Sequence, residues 1–317
     1  MNPRILLAPM EGVVDHQVRT LLTRLGGLDG CVTEFIRVTD QPLPRKVFLR
    51  CAPELDNGCL TPSGVPVRVQ LLGGNPEPMA VNALRAVRAG ANAIDLNFGC
   101  PAKTVNKNEG GACLLRQPER VNAIVSAVRA ALPPHIPVSA KIRLGYEDRS
   151  RYLDNALAIA EAGASELTVH ARSKVDGYKP PAYWEYIARI KAAVDIPVIA
   201  NGEVWSLEDY LRCREQSGCE HVMIGRGLLA CPDLARQIKA HLTGEDYPPM
   251  TWRQVCALLH DYYRESQPLY PVKYGGNRIK QWLMYLRLYY PQADSFFERI
   301  KRENAPAVIE QAFLQAA

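Results

Sequence analysis

Short runs of apolar and β-branched residues recur along the chain, with longer stretches of helical periodicity between them. The runs are Arg4–Leu7, Cys31–Thr33, Val67–Leu71, Ala93–Leu96, Val138–Ile142, Leu167–Val169, Val198–Ala200 and His221–Ile224. Their centres fall roughly 25–45 residues apart, the repeat of a strand plus a crossover helix. The helical stretches carry their own punctuation. Pro76–Ala89 places Met79, Ala83, Leu84 and Val87 at helical spacing and stops at Gly90. Pro118–Leu132 opens on proline, buries Val121, Ile124, Val125 and Val128, and ends before Pro133-Pro134. Arg151–Ala162 stops at Gly163, and Ser206–Gln216 takes Ser206 as its N-cap and stops at Gly218. Eight strands in this alternation predict an α/β fold, the (β/α)8 TIM barrel. An open doubly wound sheet shares the local pattern. Eight units over about 240 residues, with no glycine fingerprint at the start, favour the barrel.

The pattern changes near Thr243–Pro249, a polar, proline-rich stretch that reads as a linker. Beyond it Thr251–Ser266, Asn277–Tyr290, Ser295–Glu303 and Pro306–Gln315 read as helices, and no strand pattern remains. The expected division is a barrel over residues 1–242 and a small all-helical C-terminal domain over residues 250–317. The tail from His241 holds 13 of the 24 aromatic residues. Between Lys273 and Arg302 lie seven Lys/Arg and two Asp/Glu. That composition suits a bundle with an aromatic core and a solvated basic face, and equally a helical surface for RNA.

Composition adds a few exclusions. With 47% hydrophobic and 22% charged residues among 317, the chain is an ordinary globular one, which excludes disorder, collagen and coiled coil as the main state. A net charge of +5 permits a polyanionic partner without demanding one. The nine cysteines include no Cys-x-x-Cys pair, so no metal site is expected. Their odd number in a large chain argues against a secreted disulfide framework. No signal peptide and no membrane span are expected, so the reading is cytoplasmic, with no membrane and no protein partner inferred.

Active sites of such barrels lie at the C-terminal ends of the strands. The residues there are polar or glycine-rich at nearly every position: Pro9-Met10-Glu11-Gly12, Glu34, Gln70, Asn97 and Cys100, Lys141 and Arg143, His170 and Arg172, Asn201-Gly202-Glu203, and Gly225-Arg226-Gly227. Glycine turns after strands seven and eight are either plain βα turns or a backbone cradle for phosphate, to which Arg226 adds charge. A phosphorylated cofactor such as FMN would suit them. Lys141 can serve as a Schiff-base amine or as a donor to an anionic cofactor ring. His170 can be a rim residue, a phosphate donor or an acid. Cys100 differs from the other cysteines, which read as small buried hydrophobes. It sits in a Gly-Cys-Pro turn past a strand end, in a loop running to Gly110-Gly111 that is a candidate lid. There a thiol can act as nucleophile or as proton donor.

Taken together, L-A-P-M-E-G, T-E-F, V-Q-L-L-G, D-L-N-F-G-C-P-A-K-T-V, K-I-R-L-G, T-V-H-A-R-S, V-I-A-N-G-E and M-I-G-R-G run in order along the barrel and resemble the tRNA-dihydrouridine synthase family. The tail G-N-R-I-K-Q-W-L-M-Y-L-R and T-E-F-I-R-V-T-D-Q are similar to the bacterial subfamily that acts on uridine 16 of the tRNA D-loop. The resemblance implies an oxidoreductase in which NADPH reduces FMN, the flavin passes hydride to C6 of uridine, and Cys100 protonates C5. By the same likeness Pro9, Met10, Glu11 and Gln70 contact the flavin ring, Lys141 hydrogen-bonds it, and His170 and Arg172 lie near. Asn201, Gly202, Glu203, Gly225 and Arg226 hold the phosphate end, and Asn97 binds the uracil. The RNA would meet Arg37, Lys273, Arg278, Lys280, Gln281, Arg287 and Arg302. Three places depart from the family pattern: Ala171, Ser173 and the bulky Lys107-Asn108-Glu109. The competing readings are an FMN barrel reducing a small pyrimidine or enone, a Schiff-base lyase using Lys141, and a non-catalytic tRNA-binding protein.

Overall fold

A computed structural model describes residues 3–316. The strands are β1 (Ile5–Leu7), β2 (Gly30–Val32), β3 (Ile36–Arg37), β4 (Val67–Leu72), β5 (Ile94–Phe98), β6 (Val138–Arg143), β7 (Glu166–His170), β8 (Val198–Asn201) and β9 (His221–Ile224). All pair in parallel, in the order β2-β1-β9-β8-β7-β6-β5-β4-β3, and β2 also pairs with β4. That last pairing closes a (β/α)8 barrel. Short β3 continues the stave begun by β2, because both lie along β4, Val32 against Arg68 and Ile36 against Leu71. The sequence pattern shows only the first half of this stave. The break leaves Glu34 beside the loop after β1, where its carboxylate accepts the Gly12 backbone N–H.

The strand faces divide by alternation. Val69, Leu71, Ile94, Leu96, Val138, Ala140, Leu167 and Val169 are fully buried in the core between sheet and helices. The opposite face fills the lumen. There Leu6, Ala8, Val32, Ile199 and Met223 form a separate apolar cluster. The floor is ionic. Strands β4 and β7 are not neighbours, so the Arg68–Glu166 ion pair must cross the lumen. Arg4 binds the same carboxylate at 2.8 Å. Stepping up two residues at a time from this floor gives Gln70 on β4, Thr168 and His170 on β7, and from Ser139 on β6, Lys141 and Arg143.

Helix stripes follow the expected spacing with one rotation. In Pro76–Arg88 the buried residues are Met79, Asn82, Ala83 and Ala86, while Leu84 and Val87 are partly covered. Asn82 takes the inner place because it ties down a loop. It accepts from Leu43 N at 2.7 Å and donates to Gln41 and Pro78 carbonyls. Ser206 caps Leu207–Ser217 through the Asp209 N–H, and Gly218 ends it at a φ of 62°.

After residues 244–249 come the helices Trp252–Ser266, Asn277–Leu286, Gln292–Ile300 and Pro306–Ala316. Thr251 and Gln254 form a reciprocal cap on the first. The second ends sooner than its apolar pattern suggests, and residues 287–289 continue as turns closed by Leu288 N–H to the Tyr285 carbonyl and Tyr289 N–H to the Leu286 carbonyl. Aromatic rings fill the interior: Tyr262 against Trp282 at 5.3 Å and Phe296 against Phe313 at 4.8 Å. The Trp282 indole N–H reaches the Leu229 carbonyl of the barrel at 2.9 Å. The apolar core is continuous from the barrel helices into this region.

Burial raises the Glu166 pKa, but Arg68 and Arg4 outweigh it and hold the carboxyl below its usual range. Glu166→Gln leaves two partly buried guanidinium groups without a counter-charge and is expected to cost about 3 kcal/mol at neutral pH. A depressed carboxyl contributes fully above its unfolded value and loses the contribution as pH falls through the folded one. Urea denaturation of both proteins should therefore show the gap closing only below about pH 4. A gap that is absent at pH 7 would refute the role of the floor.

Candidate active site at the barrel mouth

The C-terminal ends of the strands surround a cavity of about 650 Å³. Every stave of the barrel contributes to its wall. Pro9, Met10, Glu11, Gln70, Asn97, Cys100, Lys141, His170, Asn201, Gly202, Glu203, Gly225 and Arg226 all line it. They lie far apart in sequence, and barrel closure alone brings them together.

Positive charge dominates the half formed by β6–β9. The Lys141 ammonium donates to Asn201 Oδ1 at 2.8 Å, and the Asn201 amide is fixed in turn by the Met223 carbonyl at 2.8 Å. Burial, and then Arg143, push the Lys141 pKa down to about 7. The amine is thereby brought toward its neutral form, which suits either a nucleophile or a group awaiting an anion. Burial and the surrounding Arg143, Lys141, Arg172 and Arg226 hold His170 well below its usual value, so its ring is neutral. Arg143 donates to the Gly99, Ser173 and Gly177 carbonyls, and Arg172 to the Lys179 and Pro181 carbonyls. Glu203 answers this charge. It pairs with Arg172, lies 3.5 Å from Arg226, and accepts from the Trp205 indole at 3.0 Å. Its φ of 59° is a left-handed conformation that costs a non-glycine residue about 1 kcal/mol or more. Arg226 stacks between Tyr178 and Trp205, at 4.9 and 4.8 Å from the two rings.

Two atoms here are buried without a hydrogen-bond partner among the described residues, His170 Nδ1 and Arg172 Nη1. Gly202, at a φ of 114°, leaves open the place where a Cβ would stand 3.3 Å from His170 Nε2. At Gly225 a Cβ would stand 3.4 Å from Ala8 and Met10. Orphaned donors, excess cations and a floor of bare backbone fit an anionic group such as a phosphate.

The other half carries the thiol. Asn97 Oδ1 accepts the backbone N–H groups of Gly99 and Cys100, both at 2.9 Å. Behind the turn, Asn106 donates to the Cys100 carbonyl at 3.0 Å, and a Cβ at Gly111 would strike that carbonyl at 2.8 Å. The bulky Lys107-Asn108-Glu109 run is fastened by Glu109, which binds Arg120 at 2.9 Å. Burial raises the Cys100 pKa, outweighing the Ala102 N–H and Arg143 that lower it, so the thiol keeps its proton at neutral pH.

Phe35, Tyr178, Trp205 and Tyr285 also line the cavity and escaped sequence reading. Tyr285 lies on Asn277–Leu286, whose aromatic residues read as packing. The register Arg278, Gln281, Tyr285 marks one face of that helix, and this face looks to the barrel rather than to solvent. All five Arg278 N–H groups are taken: by Tyr262 Oη, Gln281 Oε1, Asp15 and the Gly12 and Val13 carbonyls, at 2.5–3.0 Å. Gln281 donates to the same Gly12 carbonyl. Lys280 donates to the Glu303 carbonyl at 2.6 Å and to Asn304. These three expected RNA contacts are thus engaged within the protein. Arg287 lies 3.7 Å from Asp294. Arg37, Lys273 and Arg302 stay exposed. Arg37 lines a second cavity of about 310 Å³ with Asp40, Asn75, Glu109 and Arg120.

Among the described residues no group of three His, Cys, Asp or Glu is arranged to hold a metal, and no helix is long and apolar enough to cross a membrane.

Known proteins resemble the chain over its whole length. The family model described as dihydrouridine synthase (Dus) matches residues 6–317. The tRNA-dihydrouridine(16) synthase of Pseudomonas putida is 52% identical over 308 residues, 97% of this chain and 95% of that protein. The one from Shewanella oneidensis is 51% identical over 313 residues, 98% of each. That of Neisseria meningitidis serogroup B is 50% identical over 303 residues, 94% of this chain and 90% of that protein. Among solved structures, a 2-naphthoyl-CoA reductase in complex with 2-naphthoyl-CoA has a TM-score of 0.57 at 12% identity, covering 76% of this chain and 50% of that one. This last likeness is one of fold.

The thiol can be titrated directly. Peptide mapping after brief iodoacetamide treatment is expected to show Cys100 alkylation rising with pH and reaching its midpoint above the ordinary thiol range of about 8.5. A plateau already reached by pH 8 would exclude a protonated Cys100.

Proposed function

The chain belongs to the dihydrouridine synthase family, and from that premise we propose that it reduces the C5=C6 bond of uridine 16 in the tRNA D-loop, with FMN as cofactor and NADPH as reductant. The observation that carries the reading is a protonated thiol, Cys100, held at the rim of a cationic cavity. Saturating a conjugated double bond needs hydride delivery at one carbon and a proton at the next. Reduced FMN, when bound, supplies the hydride.

The residues present fit that cofactor. A volume of about 650 Å³ lies in the range of cofactor clefts. Gly202, Gly225 and Arg226 would take the phosphate, and Asn201 would hold Lys141 in place beside it. Glu203 would act by orienting Arg172 and Arg226, since a carboxylate repels phosphate. Lys141 has two N–H bonds left after Asn201 and would donate to the electron-rich edge of the flavin. Pro9, Met10, Glu11 and Gln70 would border the ring, with His170 near as a neutral donor. Asn97 has one amide hydrogen left, its oxygen being filled by two backbone N–H groups. It would therefore meet the uracil as a donor to a carbonyl. Cys100 would hand its proton to C5.

A base must leave its stack to enter such a cavity, and a loop nucleotide leaves most cheaply. Tyr285 makes the C-terminal helices part of the wall, which supports a macromolecular substrate over a free pyrimidine. Arg37, Lys273 and Arg302 are the exposed cations we assign to phosphate contacts. Nine free cysteines and a tRNA substrate support a reducing cytoplasm.

Site-resolved dihydrouridine mapping of tRNA from a deletion strain should show loss at position 16. Loss at another position would reject the specificity, and no loss the function. Cys100→Ala should stay yellow yet reduce tRNA about 10²–10⁴-fold more slowly. Anion binding should raise the Lys141 pKa from about 7. FMN binding at pH 8 is thus expected to take up protons, seen by calorimetry in two buffers of different ionisation enthalpy, and Lys141→Met should abolish the uptake.

A further inference from the structure

Asp95 has no part in the reaction described above. It is 2% exposed, lies beneath the cavity on β5, and faces Gln70 of β4 and Ser139 of β6 in register. Its two oxygens are both occupied. Oδ1 accepts from Ser139 Oγ at 2.6 Å and Oδ2 from Gln70 Nε2 at 2.7 Å. Gln70 Oε1 then accepts from Asn97 Nδ2 at 2.8 Å, and Asn97 Oδ1 accepts the N–H groups of Gly99 and Cys100.

The direction of this chain is not free. A side-chain amide has a donor end and an acceptor end, and either can face a neighbouring amide. An ionised carboxylate can only accept, and although burial raises the Asp95 pKa, the Ser139 and Gln70 donors and the nearby Arg68 and Lys141 all favour its charged form. Gln70 must therefore turn its NH2 to Asp95 and its oxygen to Asn97. Asn97 must answer with its NH2, which leaves its oxygen for the Cys100 turn. Reversal would press the Asn97 NH2 against two backbone donors, leaving buried groups unpaired. We infer that Asp95 is a positioning residue, whose carboxylate sets the polarity of Gln70 and Asn97 and through them fixes the turn that holds Cys100. The same polarity decides that the remaining Asn97 valence toward the substrate is a hydrogen. The inference rests on the proposed use of Cys100 and Asn97 in uridine reduction.

Hydrogen exchange reads the chain without any turnover. In the full-length protein, Asp95→Asn offers Gln70 a partner that can both donate and accept, so the direction of the chain is held from the Cys100 end alone. The Gly99 and Cys100 amides should then exchange about tenfold faster. Reduction of tRNA by the FMN-loaded variant should slow by a similar factor. The double change Asp95→Asn with Gln70→Glu moves the acceptor-only group one place along. The carboxylate now on β4 accepts from the amide introduced on β5 and from Asn97, restores the Asn97 orientation, and should return exchange to the wild-type rate. A role in bulk packing alone gives no such rescue. The double variant keeps the buried charge, so it also serves if the single one does not fold. Unchanged exchange in Asp95→Asn, or no protection in the double variant, overturns the inference. If wild-type protein fails to reduce tRNA while exchange follows this pattern, the functional reading falls and the positioning stands.

Discussion

Like charges crowded into a low-dielectric space set the terms for this molecule. Lys141, Arg143, His170, Arg172 and Arg226 converge on one half of the barrel mouth, and Glu203 pairs with two of them, Arg172 and Arg226. Such a cluster is unfavourable unless each cation is neutralised, solvated by carbonyls or met by an anion. All three remedies occur. Lys141 and His170 are driven toward their neutral forms, Arg143 and Arg172 are wrapped by backbone carbonyls, and Glu203 is held in a strained conformation to reach two guanidinium groups. What these leave unsatisfied is a demand for negative charge at the glycine-lined end.

The lumen beneath explains how this demand is borne. Its floor is an ion triad, its middle is apolar on the side of β1, β2, β8 and β9, and the remainder is a chain of side-chain hydrogen bonds. The floor is locked by partners on strands that only barrel closure brings together, while the hydrogen-bonded chain links the neighbouring strands β4, β5 and β6. Charged groups at the rim are thereby held by a scaffold that has no room to collapse around them.

Much of this was legible in the sequence because it depends on local order. Eight apolar runs at a steady interval specify the barrel, and the rule that chemistry lies at strand ends then collects Asn97, Cys100, Lys141, His170 and Asn201 at one mouth. Three features were not legible, and all depend on orientation. The stave of β2 and β3 is broken by a few residues, too short an interruption for a pattern to register. Asn82 faces inward because a distant loop needs its amide. Arg278 and Gln281 carry the composition of an RNA contact, but the docking angle of their helix turns them to the barrel. Tyr285 reaches the cavity for the same reason. Helical periodicity tells which residues share a face, and only the packed fold tells what that face meets.

The Arg278 joint has a mechanical meaning. Five hydrogen bonds leave one planar group in several directions, two of them to consecutive carbonyls of the loop that carries Met10 and Glu11. No single torsion can relax without breaking more than one of them. The helix Asn277–Leu286 and the Met10 loop are therefore clamped together through a single side chain. The outer surface of the C-terminal helices is thereby connected to the rim of the cavity through one guanidinium group.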